Sequence, residues 1–253
     1  MEVHHHSHSA PAHGGASRKK FTHYLWEFLM LFLAVFCGFL AENFRESLVM
    51  KEKAHHYMEN MVADLKSDVA AFDSSTYYMQ LWYDHLDSAL KIPVERLRNI
   101  NSQDSFSYHF YPYYSYVGYC EQSDNTIIQL KAGGFNLIHD KQTIDSINAV
   151  YGFYKGVKFT TDYNVTAYWD AVKKAQEIMK LPSPAIVIQD AIPNSVVTNT
   201  EVFIQFDQTA IQQLYNKLEN SKGSLMTSII FQKQYRERAA GLLAYLRRKY
   251  HIK

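Results

Sequence analysis

Hydrophobic and polar positions divide the chain into one unbroken apolar run and a series of stripes at helical spacing. Phe28 to Ala41 is apolar throughout and extends back to Tyr24 through Leu25, Trp26 and a single charge, Glu27. About 18 residues is near the lower limit for crossing a bilayer core of roughly 30 Å. Three readings compete. A buried core helix normally keeps a polar face, and this run has none. A cleaved signal peptide ends in a small-x-small site, but Phe39 stands two before Ala41 and Phe36 two before Gly38. Phe36 directly before Cys37 also fails the small-residue requirement of a lipoprotein site. The run therefore predicts an uncleaved transmembrane helix over 21–43. Tyr24, Trp26, Glu27, Phe28, Leu31, Phe36, Phe39 and Ala41 mark the span. Tyr24 and Trp26 suit an interfacial belt, and Glu27 lies near the helix start, where the dipole favours a negative charge.

Beyond the span the apolar period becomes helical. Ala54, Met58, Met61, Leu65, Val69, Phe72, Thr76, Met79, Tyr83, Leu86 and Leu90 follow at steps of three or four until Pro93, which is one face of an amphipathic helix. About 36 residues make about 54 Å of helix at 1.5 Å per residue. Residues 94–122 break the pattern. Ser105 to Cys120 hold eight Phe and Tyr with partial alternation, interrupted by Pro112, which predicts an extended cap or loop. Tyr108, Phe110, Tyr111, Tyr113, Tyr114 and Tyr116 are its candidate interaction surface, since Tyr serves cores and binding surfaces alike. Ser123 and Asp124 offer an N-cap for a short helix ended by Gly133-Gly134. A long helix is expected from Asp140 to Met179, stopped by "LPSP" at 181–184, with "VVTNTEVFIQF" extended after it. Asp207 caps a short helix through Leu218, Gly223 ends it, and a last helix runs from about Ser224 to Tyr250. The expected fold is all-α: one transmembrane helix continuing into a long-helix, coiled-coil-like up-and-down bundle with an aromatic-rich loop or cap. The domains are a disordered His-rich tail over 1–20, the span over 21–43 and an extracytoplasmic helical domain over 44–253.

Charge adds orientation. Arg18, Lys19 and Lys20 precede the span, while Glu42, Arg45 and Glu46 follow it, so the N-terminus is expected in the cytoplasm and the domain outside it. The formal net charge of +1 argues against a nucleic-acid binder. Cys37 and Cys120 are the two cysteines and define no disulfide framework. In the tail, His4, His5, His6, His8 and His13 are candidate metal ligands, with a solvated tail or a tag as the alternatives.

Three segments resemble a family. "YLWEFLMLFLAVFCGFLAEN" (24–43), "YMENMVADLKSD" (57–68) and "TIIQLKAGGFNLI" (126–138) are similar to the signatures of single-pass inner-membrane proteins found mainly in Bacteroidetes-type bacteria. An initial "MEVHHH" is seen in that group too, which argues against a tag. The resemblance covers about 1–150 well and the rest weakly. It implies an inner-membrane anchor and a helical periplasmic domain, and it implies no activity.

No Gly-rich phosphate loop, CxxC, HExxH or GxSxG occurs. His55 with Glu59, and His85 beside Asp84 and Asp87, have spacings that suit a metal but read equally as solvated helix faces. Asp64 and Asp68, one turn apart, read as an exposed face. Cys120 has no identifiable base. The expectation is a non-enzyme without a cofactor: a membrane-anchored periplasmic interaction or scaffold module. Its partners would be the bilayer and a protein or second copy, and no nucleic acid. The alternative is a ligand-sensing helical domain acting through a membrane partner.

Overall fold

The computed structural model describes residues 16–114, 120–181 and 201–253, with side chains from Phe21 onward. His4, His5, His6, His8 and Tyr116 therefore lie outside the described residues, as does most of 185–206. Five α-helices are described: α1 (Ala16–Leu90), α2 (Ile100–Tyr114), α3 (Asn125–Lys131), α4 (Lys141–Ile178) and α5 (Gln208–Tyr250). Short 3-10 turns cover Val94–Arg98 and Gly134–Leu137. Among the described residues there is no strand, only one antiparallel bridge between Met179 and Phe203. The all-α expectation holds.

The chain divides into two units, one up to Lys53 and one from Ala54 to Lys253. Helix α1 begins at Ala16, inside the segment expected to be disordered to residue 20. Every residue from Phe21 to Lys53 is exposed, which removes the core-helix reading of the apolar run. This is the one described helix long and apolar enough to cross a membrane. Phe28, Phe32 and Phe36 stack at four-residue steps along it, with ring centroids 6.3 and 5.9 Å apart.

The unit from Ala54 packs around two large apolar centres, with a smaller one of Met79, Leu225 and Ile229. One joins Met58, Met61, Leu65 and Phe72 of α1 to Ile147 and Tyr151 of α4 and to Tyr235, Leu242 and Leu246 of α5. The other joins Leu86 of α1 to Phe106 and Phe110 of α2, Val172 and Ala175 of α4, and Ile211 and Leu214 of α5. Within this unit α4 therefore runs parallel to α1, and α5 runs antiparallel to both. The bundle can have two parallel neighbours because the return between them is not a long helix. Tyr114 belongs to the second centre, whereas Cys120 packs against the first.

Two local expectations are corrected. Residues 100–114 form helix α2 rather than an extended cap. Apart from Pro112 itself, its buried residues, Gln103, Phe106, Ser107, Phe110, Tyr113 and Tyr114, keep helical steps that Pro112 obscured. Proline removes one helical hydrogen bond, and α2 is described as far as Tyr114, two residues after it. Phe110, Tyr113 and Tyr114 are 0%, 1% and 5% exposed, so these three belong to the core and not to an interaction surface. Tyr108 is exposed and Tyr111 half-buried. The second correction is at Gly223, where α5 continues without a break. Ser221, Ser224, Leu225 and Ser228 are buried around that turn, and tertiary packing outweighs the roughly 1 kcal/mol a helical glycine costs. The Gly133 stop is as expected: its φ is +143° and α3 closes just before it. The expected cap at Asp207 is present, accepting from Thr209 N and Ala210 N, whereas the Asp124 side chain makes no cap hydrogen bond to α3; α4, expected to begin near Asp140, is capped by that residue, which accepts from Thr143 N.

Truncating a core aromatic and an exposed one separates the two readings of residues 100–114. Phe110→Ala is expected to cost about 3–5 kcal/mol, and Tyr108→Ala less than about 0.5 kcal/mol. Denaturant unfolding of the detergent-solubilised chain, followed by near-UV circular dichroism, measures both. Equal effects would contradict the burial described above.

Candidate functional site

The polar interior of the Ala54–Lys253 unit is organised by Asp68. Its side chain is 1% exposed. One carboxylate oxygen accepts the Ser123 backbone N–H at 2.7 Å, and the other accepts the Tyr235 hydroxyl at 2.6 Å. Burial pushes the carboxyl above its ordinary value near 3.8, the hydrogen bonds from Tyr235 and Ser123 pull it back, and Asp64 adds a small push upward. One turn earlier, Asp64 accepts the Thr126 N–H at 3.2 Å. Tyr57 lies against Gly134, where an added Cβ would stand 3.1 Å from Leu130 and 3.4 Å from the Tyr57 ring. The segments 57–68 and 126–138 thus meet: Asp68 holds the N–H of Ser123 just before α3, and Asp64 holds that of Thr126 in its first turn, where a helix leaves such donors without partners. The exposed-face reading of Asp68 is corrected. A helical carboxylate with apolar neighbours at i−3 and i+4 was the available signal, since Leu65 and Phe72 flank it on the stripe.

The sequence-selected metal candidates do not converge. His55 and His56 both face Glu59, at 3.6 and 3.3 Å. Asp84 accepts from Gln80 at 3.1 Å, and Asp87 turns to Lys91 and Lys222 at 2.7 and 3.3 Å. His85 instead meets His109 across α1 and α2, Nδ1 to Nδ1, at 3.3 Å. Burial lowers the basicity of both rings, and for His109 the His85 charge acts in the same direction. Among the described residues no group of three metal-binding side chains occurs. Burial, followed by the Asp68 and Glu121 charges, pushes the Cys120 thiol up to about 11. It stays protonated at neutral pH and is a poor nucleophile.

A surface groove lies between α4 and α5. Its volume is about 410 Å³, and Phe159, Thr160, Tyr163, Glu219, Asn220, Gly223, Ser224 and Thr227 line it. Phe159 and Tyr163 stand one turn apart on α4 and are 73% and 53% exposed. On α5, Gly223 and Thr227 are also one turn apart. The polar lining is engaged within the chain. Ser224 bonds Asn164 at 3.1 Å, Thr227 bonds the Gly223 carbonyl at 3.0 Å, Glu219 pairs with Lys222 at 2.8 Å, and Tyr163 reaches Asn220 at 3.5 Å. What the groove offers is therefore two aromatic faces beside a helix turn without a Cβ. A Cβ built on Gly223 meets nothing within 4 Å, so its surroundings do not require glycine. Sequence reading missed this groove because Phe159 lies off the α4 stripe and Gly223 reads as a helix stop.

Compared with known proteins, the chain matches no family model, no curated protein and no solved structure.

The Asp68 clasp has a measurable pH signature. Folding disfavours the charged form of a carboxyl whose folded value exceeds its unfolded value. Its contribution is fully present below about 3.8 and is lost as pH rises through the folded value. Asp140 acts oppositely. Lys249, and then Thr143, hold it below the usual range, so its contribution is lost as pH falls below the ordinary carboxylate value. Asp68→Asn is expected to flatten the stability–pH curve above 3.8 and leave the acid limb intact. Tyr235→Phe strands a carboxylate oxygen and is expected to cost about 1–3 kcal/mol. Urea unfolding across the acid range reads both, and an unchanged slope in Asp68→Asn would refute the assignment.

Proposed function

We propose that the chain is a membrane-anchored interaction module of the inner membrane, with its N-terminus cytoplasmic and its helical domain in the periplasm. The supporting observation is the Phe28–Ala41 run, apolar and exposed throughout, preceded by Arg18, Lys19 and Lys20. The surface offered to a protein partner is the Phe159–Tyr163 groove. Exposed aromatic side chains beside a pocket are typical anchors of protein interfaces. The groove is preferred to Phe110, Tyr113 and Tyr114, whose side chains are spent on the core.

The groove also favours a second reading. About 410 Å³ falls in the range of small-ligand pockets, which suits a sensing domain that signals through a membrane partner.

Topology is tested by fusing a reporter active only outside the cytoplasm after Lys253. Activity with the anchor retained is expected, and inactivity in a well-expressed fusion would reverse the orientation. The groove is tested with Gly223→Leu, whose Cβ meets nothing within 4 Å. Stability is expected to rise by about 0.5–1 kcal/mol through helix propensity, while photo-crosslinking from position 163 to a protein partner is lost. Crosslinking that survives the substitution would remove the groove from the interface.

A further inference from the structure

The Ala54–Lys253 unit carries twenty Lys and Arg against twenty Asp and Glu, yet its charge is not evenly spread. The end that includes Ala54 is assembled from 54–62, 131–145 and 246–253. Met58 and Met61 cluster there with Ile138, Leu242 and Leu246, and Ile252 packs against them. These segments hold Lys131, Lys141, Arg247, Arg248, Lys249 and Lys253, opposed by Glu59, Asp140 and Asp145. Lys249 is taken by Asp140, and Glu59 faces His55 and His56. Among the described residues no ion pair involves Lys131, Lys141, Arg247, Arg248 or Lys253, and Arg247 Nε has no hydrogen-bond partner. The helix dipole accounts for cations at the end of α5, but not for Lys141 at the first position of α4, where the dipole opposes a positive charge.

By chain connectivity, this is also the end joined to the apolar run, which finishes at Ala41, thirteen residues before Ala54. We infer that this basic end docks on the anionic phospholipid headgroups of the bilayer that holds the run. The inference rests on the membrane-anchor reading above. Phosphates are met by several Lys and Arg side chains that have no carboxylate to leave, and each such side chain near an anionic surface adds to the attraction.

The test uses the full chain reconstituted in phosphatidylcholine nanodiscs, with or without phosphatidylglycerol, and amide hydrogen exchange as the readout. Exchange in 138–144 and 246–252 is expected to slow at least about fivefold in the anionic discs, and high salt should reverse this. A variant carrying Lys131→Gln, Lys141→Gln, Arg248→Gln and Lys253→Gln, all at exposed positions, should lose the slowing while α4 and α5 keep their core protection. Equal exchange in both lipids, or slowing that persists in the variant, overturns the inference. Extraction of the chain from vesicles by alkaline carbonate overturns the anchor reading and the inference with it, whereas carbonate resistance without headgroup dependence sinks the inference alone.

Discussion

A carboxylate buried without a cation constrains the rest of the domain. Taking Asp68 out of water costs several kcal/mol unless its oxygens are hydrogen-bonded, and its two principal donors come from Ser123 and Tyr235. Satisfying it therefore sets the position of the segment before α3 and the register of α5 against α1 at once. The neighbouring contacts follow that register. Arg236 bonds both oxygens of Asp73 at 2.8 Å, Ser75 bonds Gln232 at 2.9 Å, and Lys222 reaches Asp87 at 3.3 Å. The same placement brings Tyr57 onto Gly134 and gathers the basic residues of three elements at one end.

Tyrosine does similar work elsewhere in the domain. Its ring fills apolar space while its hydroxyl satisfies a polar atom that would otherwise be stranded. Tyr168 donates to the Tyr114 carbonyl at 2.6 Å, Tyr215 to the Ile92 carbonyl at 2.8 Å, and Tyr113 shares a 2.6 Å hydrogen bond with Ser221. The first two bonds tie loop and helix-end carbonyls to long helices, and the third ties α2 to α5. Burial raises all three phenols above their ordinary range, so they remain neutral donors. An aromatic-rich composition is thus accounted for by packing. Among the described residues of this unit Tyr77, Tyr78, Tyr108, Phe159, Tyr163 and Trp169 stay exposed, and Phe159 and Tyr163 share a groove.

Placed together, the groove and the basic end give the domain two chemically distinct surfaces. One is apolar and aromatic and suits a protein side chain or a small ligand. The other is cationic and suits phosphate. An anchored domain held at a bilayer by one surface would present the other to its partner in a defined orientation, which lowers the cost of association.

The helices were legible in the sequence wherever a stripe was long and its punctuation strong. The α1 stripe from Met58 to Leu86, the start of α4 near Asp140, the Asp207 cap, the stop at Gly133 and the apolar run all follow from periodicity and local chemistry. Residues 100–114 were misread because Pro112 and dense tyrosines hide a helical period that only contact with Leu86, Val172 and Leu214 makes decisive. Gly223 was misread because a glycine's local cost is small beside the burial of its neighbours. Asp68 and Asp64 had the same spacing as any solvated pair. Sequence alone determined the helical stripes of α1 and α4, the short α3 and that one run is apolar on every side, because those properties depend on neighbours within a few residues. Tertiary structure alone decided which carboxylate is buried, which aromatics remain open and which charges gather at one end, because each depends on residues some tens to nearly two hundred positions apart in the chain.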